Sequence, residues 1–339
     1  MNGEIVVITG ASAGVGRAAA RAFAEAGAGW VVLLARDADR LQDTCAEIER
    51  CGARALAIAL DVADAAAVEA AAERVERELG PIAVWVNNAM ATIFAPVEDI
   101  SPEEFARVTQ VTYLGTVYGT MSALRRMRAR NAGTIVQVGS ALAYRAIPLQ
   151  SAYCGAKHAV RGFTDSIRCE LIHDKSAVRI TMVQLPGVNT PQFEWCRTSR
   201  THHPQPVGTV YQPEVAARAI VFAATHDRRE VQVGLPSVMT ILGSKVAPGL
   251  LDRMLAQRAY EQQFTAEPIP RDRPDNLFQP VPGGFGAHGC FGERAKNASP
   301  QLWTSMHRDV LVPALAVAGV SAFAWLMRRP RRRALPPRR

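Results

Sequence analysis

The chain has 339 residues, of which 48% are apolar, 21% charged and 6% aromatic. That is enough apolar material for a full core, and it excludes an intrinsically disordered chain. The formal charge of +8 is concentrated at one end, where residues 328–339 hold seven arginines and no acid, which leaves the body of the chain close to neutral. A nucleic-acid-binding face on the body is therefore not expected. The six cysteines include no Cys-x-x-Cys pair. They read as reduced thiols of a cytoplasmic protein, with no metal site and no disulfide frame. Residues 1–10 carry no basic stretch ahead of an apolar run, so no secretory signal is expected.

Strand and helix patterns alternate from the start. The apolar run 5–8 predicts a buried strand, and an Ala-rich helix follows to Ala26. Val31–Leu34 is a second strand, and Leu41, Cys45 and Ile48 then recur at helical spacing. Ala55–Leu60 is a third strand, ahead of a helix with Val68, Ala72, Val75 and Leu79 on one face; Ile82–Val86 is the fourth. Ser101, Pro102 and Glu104 mark a helix start, with a capping hydroxyl, a first-turn proline and a reciprocal carboxylate. That helix is expected to run to about Arg130. Strand five covers 134–138, a long helix 151–173, strand six 179–185, a helix from Pro213 to Thr225, and a last strand 231–233. Apolar strands alternating with helices predict an α/β doubly wound domain: a seven-stranded parallel sheet with helices on both faces, over residues 1–235. Residues 236–265 read as a helical extension interrupted at Pro248-Gly249, 266–300 as a Pro/Gly-rich linker, and 301–339 as an apolar segment with an Arg-rich tail.

Three patterns carry chemistry. Thr9-Gly10-Ala11-Ser12-Ala13-Gly14-Val15-Gly16 lies where the first strand hands over to the first helix. Glycines there let a pyrophosphate approach the backbone, and the helix N-terminus offers free N–H groups. Tyr153 and Lys157, four apart on one helix, place an ammonium one turn from a phenol, a pair suited to moving a proton to or from oxygen. Ser140 closes strand five, at the carboxyl end where parallel sheets put their sites.

Together these residues resemble the short-chain dehydrogenase/reductase family in its compact single-domain form. The resemblance covers about residues 3–235 and includes Asp61-Val62 after strand three, Asn87-Asn88-Ala89 after strand four and Pro186-Gly187 after strand six. It implies hydride transfer between a nicotinamide cofactor and a carbonyl or secondary alcohol. Tyr153 would be the acid–base, Ser140 the carbonyl holder, and Lys157 the partner of the nicotinamide ribose. The turn residues Gly10, Ser12, Ala13, Gly14, Val15 and Gly16 would hold the dinucleotide. Asp61 and Val62 would flank the adenine, while Asn88, Ala89 and Val188 would lie along the cofactor. Three positions depart from the family pattern. Thr112 stands where an Asn is usual, with the helix backbone as the expected partner of its hydroxyl; Met90 replaces a Gly; and the loop to Thr190 is one residue short.

At the end of strand two, Ala35 occupies the place of a selective acid, and Arg36 follows it, which favours NADP(H) over NAD(H). Asp37 competes for this reading or caps the next helix. Residues 192–212 correspond to a substrate lid, whose Phe193, Trp195 and Tyr211 suit a small lipophilic carbonyl or alcohol. The uncharged run 310–327 with the tail behind it is expected to meet an anionic membrane surface, with packing on the body or a true span as alternatives. The resemblance implies a homodimer or homotetramer. The alternative function is a cofactor-binding regulatory protein or a membrane-recruited scaffold with weakened catalysis.

Overall fold

The computed structural model describes residues 1–270 and 272–311. They fall into two compact units, Met1–Ser299 and Pro300–Arg339, the second described only through the short helix Pro300–Met306 and the few residues after it. The uncharged run 310–327 and the arginine tail, proposed as a membrane-facing segment, lie almost wholly outside the described residues.

The first unit is built on seven strands: β1 Ile5–Thr9, β2 Trp30–Ala35, β3 Arg54–Ala59, β4 Ile82–Asn87, β5 Thr134–Ser140, β6 Arg179–Leu185 and β7 Glu230–Gln232. Their order across the sheet is β7-β6-β5-β4-β1-β2-β3, and every pairing is parallel. Helices α1 Gly14–Glu25, α2 Ala38–Arg50, α3 Ala65–Glu78, α4 Pro102–Thr109, α5 Gly115–Arg130, α6 Ser151–His173 and α8 Pro213–Thr225 make the crossovers, with the short α7 Gln192–Trp195 ahead of α8. Central strands covered on both faces must be apolar throughout, and Val6, Val7, Val32, Leu34, Trp85, Val86, Ile135 and Val136 are wholly buried. The α/β doubly wound architecture is as the alternation predicts.

Local chemistry sets the helix starts. The Asp37 carboxylate accepts from the Arg40 N–H at 2.9 Å and caps α2, the second of the two roles considered for that residue. Asp64 does the same for α3, and Ser101 with Glu104 closes a full capping box on α4. The single helix expected from Ser101 to Arg130 is interrupted by one wide π turn, Gln110–Leu114, which joins α4 to α5. The parallel register brings the carboxyl ends of β1, β2, β4, β5 and β6 to one edge, and the crevice opens there.

Beyond β7 the chain forms α9 Leu235–Val246 and α10 Pro248–Gln262, then the strand Phe264–Pro268, which pairs with His202–Pro204. The stretch 266–300 was expected to be a Pro/Gly-rich linker, extended or disordered, but its residues 276–297 are bound along the first unit. Leu277 is wholly buried in the core, and residues 276–297 hydrogen-bond to Trp195, Arg36, Arg107, Arg17, Gly14, Asn189 and Val210. Composition missed this because most of these bonds end on main-chain atoms of the segment, which Gly and Pro offer as well as any residue does.

Candidate active site

The turn after β1 is shaped by close approach. Gly10 has φ +67°, and a Cβ on it would stand 2.8 Å from the Ala89 Cα; a Cβ on Gly16 would stand 2.1 Å from the Gly10 carbonyl oxygen. The turn is fastened to the loop after β4. The Thr9 hydroxyl accepts the N–H groups of Asn88 and Ala89 at 2.9 and 3.0 Å, and the Asn88 amide donates to the carbonyls of Thr9 and Gly10. Asn88 and Ala89 line the crevice, as do Gly10, Ser12, Ala13, Gly14 and Val15, but the Asn88 side chain is committed to the turn. Helix α1 has no side-chain cap, so its first N–H groups are left to other acceptors.

Asn87, one residue earlier, belongs to a buried amide network that sequence reasoning did not separate from the motif. Its side-chain oxygen accepts from the Trp85 indole at 2.8 Å, and its nitrogen donates to Thr120 and Gln137. Gly119 makes the room, since a Cβ there would lie 2.2 Å from the Asn87 oxygen.

At the far side of β2, Asp61 pairs with Arg107 and accepts the Ala63 N–H at 2.9 Å. Burial alone would raise its carboxyl, but the Ala63 amide and the Arg107 guanidinium outweigh this and hold it below the usual carboxylate range. Val62 beside it is buried and lines the crevice, together with Arg36, Asp37 and Arg40.

Ser140, at the end of β5, accepts the Leu142 N–H at 3.1 Å and hydrogen-bonds the Tyr153 phenol. Tyr153 lies on the first turn of α6, and Lys157 one turn on, so the three predicted residues converge. The Lys157 ammonium lies 5.7 Å from the Tyr153 ring centroid and donates to the Val138 carbonyl at 2.7 Å. Lys157 is 3% exposed, and burial pulls it down to about 8. The expected acidification of Tyr153 by this ammonium is not what dominates. Burial pushes the phenol well above its ordinary value, with the Ser140 hydrogen bond opposing.

One cavity of about 430 Å³ runs from the glycine turn past Ser140, Tyr153 and Lys157 to a largely apolar end. Phe94, Leu142, Ile147, Phe193, Leu251 and Met254 are among its walls there. Phe193 of the lid packs against Phe94 at that end, whereas Trp195 lines the crevice on the Arg40 side, against Phe285. Tyr211 lines neither part; it is buried beside Gly234, on the short strand that pairs with Gly187–Val188. Val188, Met90 and Thr190 line the crevice, and Thr190 packs where a Gly14 side chain would lie. The contributions of α9 and α10 were not anticipated, since their helical pattern carries no motif. Among the described residues no group of three His, Cys, Asp or Glu is placed to hold a metal ion, and no helix is long and apolar enough to cross a membrane.

A doubly wound sheet with a glycine turn at its first crossing and a Ser–Tyr–Lys group at its carboxyl edge defines a nicotinamide-dependent oxidoreductase scaffold. The chain belongs to the short-chain dehydrogenase/reductase family, whose short chain dehydrogenase pattern matches residues 4–200. It is 31% identical over 323 residues to an uncharacterized oxidoreductase, YxnA, of Bacillus subtilis, covering 95% of this chain and 90% of that one. A metagenomic short-chain oxidoreductase solved in complex with NADP is 28% identical, with a TM-score of 0.58 over 69% of this chain and 97% of that one. An NAD+-bound xylitol dehydrogenase is also 28% identical, with a TM-score of 0.52 over 55% of this chain and 71% of that one.

Proposed function

We propose that this protein is an NADP(H)-preferring oxidoreductase that interconverts a small lipophilic carbonyl compound and its alcohol, with Tyr153 as the acid–base. The observation that carries the reading is the continuous cavity from the glycine turn to an apolar end, with Ser140, Tyr153 and Lys157 at its middle. The residues present fit a dinucleotide. The glycine turn lines the crevice at the start of α1, and Arg40 lines it with two buried nitrogens that have no hydrogen-bond partner. Gly10, Ser12, Ala13, Gly14, Val15 and Gly16 would hold the phosphates, Asp61 and Val62 the adenine end, and Asn88, Ala89, Val188 and Lys157 the nicotinamide half. When bound, the cofactor supplies or accepts hydride.

The chain's own residues do the rest. Ser140 orients the substrate oxygen, and Tyr153 gives that oxygen its proton in reduction and takes it back in oxidation. Lys157, charged below about pH 8, keeps a positive charge beside the phenol as it loses its proton. The apolar walls exclude water and select a lipophilic substrate. The cations Arg36 and Arg40 at the crevice support the cofactor preference. Self-association is proposed through α5 and α6, where Met121 and Ile172 are exposed, and membrane recruitment through residues 310–339.

The test is a panel of aldehydes, ketones and secondary alcohols with each nicotinamide cofactor, followed by absorbance of the reduced ring. Tyr153→Phe should lower turnover by about 100-fold or more while cofactor binding is kept. Binding of cofactor with no turnover on any carbonyl would favour the regulatory alternative.

A further inference from the structure

Helix α9 turns an apolar row outward. Leu235, Met239, Leu242 and Val246 are 57%, 61%, 52% and 84% exposed. Steps of four, three and four residues set them within about 60° of one another around the helix axis. Leu250 and Met254, one turn apart on α10, are exposed as well. Single exposed apolar side chains are ordinary, but a helical row of them marks a surface that meets something other than water. The opposite side of α9 is fixed to the body. Ser237 and Ile241 are buried, the Ser244 hydroxyl donates to the Tyr144 carbonyl at 3.1 Å, and Gly243 lies against Leu251 of α10.

The same two helices wall the apolar end of the cavity. Pro236, Thr240, Leu251 and Leu255 line it, and Met254 both lines it and is exposed. Cavity and outer row are therefore two sides of one helix pair. The charges around the row are positive. Helix α9 carries no acid, and the cations Lys245, Arg253 and Arg258 outnumber Asp252 and Glu261 across the pair. Asp252 is already held by Arg145, whereas the exposed Lys245 and Arg253 have no ion-pair partner among the described residues. A second copy on this face would set like cations against each other. Residues 310–327 laid on it would bring the seven arginines that follow them to the same cations. An anionic bilayer answers both the apolar row and its charge.

We infer that α9 with the start of α10 is a docking face for an anionic lipid surface, its row Leu235–Val246 set against the acyl chains. The face belongs to the folded body, so it is a second attachment beyond the one proposed for residues 310–339. Each is weak alone, and together they reinforce each other. Docked this way, the apolar end of the cavity opens toward the lipid, and a lipophilic substrate reaches it past Met254 without crossing water. That last step rests on the substrate reading above; the docking does not.

Flotation of the full chain with vesicles of phosphatidylcholine and phosphatidylglycerol, and of phosphatidylcholine alone, tests it without substrate or cofactor. The unmodified protein floats with the anionic vesicles. Met239→Gln combined with Leu242→Gln leaves the charge unchanged and lowers the bound-to-free ratio by about 10-fold or more. The loss persists at high salt, which screens the arginine tail. Lys245→Gln combined with Arg253→Gln weakens binding to the anionic vesicles at low salt only. All four side chains are exposed, and an unchanged melting temperature shows that each variant is folded. An unmodified protein that stays with neither vesicle, or a Met239/Leu242 variant that floats as well as the unmodified protein, overturns the inference. So does a dimer that this variant converts to monomer in lipid-free sedimentation, which assigns the row to a second copy. A protein that floats but turns over no carbonyl upholds the docking and counts against the substrate reading; an active one that fails to float does the reverse.

Discussion

Thr112 is wholly buried in the π turn between α4 and α5, and its hydroxyl does two things at once. It donates to the Ala91 carbonyl and accepts from the Ala91 N–H, both at 2.9 Å. The expected partner was the helix backbone, the usual resort of a helical Thr. The observed partner lies 21 residues away, in the loop that carries Met90 past the crevice. The hydroxyl thus holds the wall of the site in place. Thr112→Val would leave both Ala91 groups buried and unpaired, and should cost about 1–3 kcal/mol in urea unfolding. Thr112→Ser should restore most of that loss, since only the methyl is removed. Tyr153, Lys157 and Ser140 were legible at this scale because an i, i+4 pair and a strand end are local relations. The engagement of Arg36 was not, because its guanidinium donates to a carbonyl 240 residues further along the chain.

The β1–α1 unit is where sequence and structure agree most closely, and the reason is steric. Gly16 meets the Gly10 carbonyl so closely that no side chain fits, whereas Gly162, inside α6, has nothing within 4 Å of its would-be Cβ. The two substitutions should therefore have opposite signs. Gly16→Ala should destabilise by about 1–3 kcal/mol and weaken binding of either nicotinamide cofactor, read by unfolding and by titration. Gly162→Ala should stabilise by about 1 kcal/mol through helix propensity alone. A glycine-rich turn between a buried strand and a helix is recognisable because the constraint is contained in eight consecutive residues. Helices α9 and α10 were legible as helices but not as cavity walls, since their amphipathic pattern does not say which molecule or cleft the buried side meets.

The whole molecule is organised by returns of the chain on itself. The pairing of Phe264–Pro268 with His202–Pro204 brings the chain back beside the lid region, and the 276–297 segment then runs from the Asp61–Arg107 pair across the glycine turn to Asn189 and Val210. At this scale the arginine tail is proposed to act separately, on an anionic lipid surface. Removing residues 301–339 should move the protein from the membrane to the soluble fraction of a cell extract; an unchanged distribution would count against that role.

The amino-acid sequence by itself determined the alternating strands and helices, the glycine turn and the Tyr–Lys pair. Each is written in hydrophobic period or in short spacing, and near-neighbour sterics enforce them. Only the tertiary structure decided what closes the crevice, which arginine is left with unmet donors and which way burial moves the phenol. Those outcomes depend on main-chain carbonyls and on desolvation, and both arise when distant segments meet.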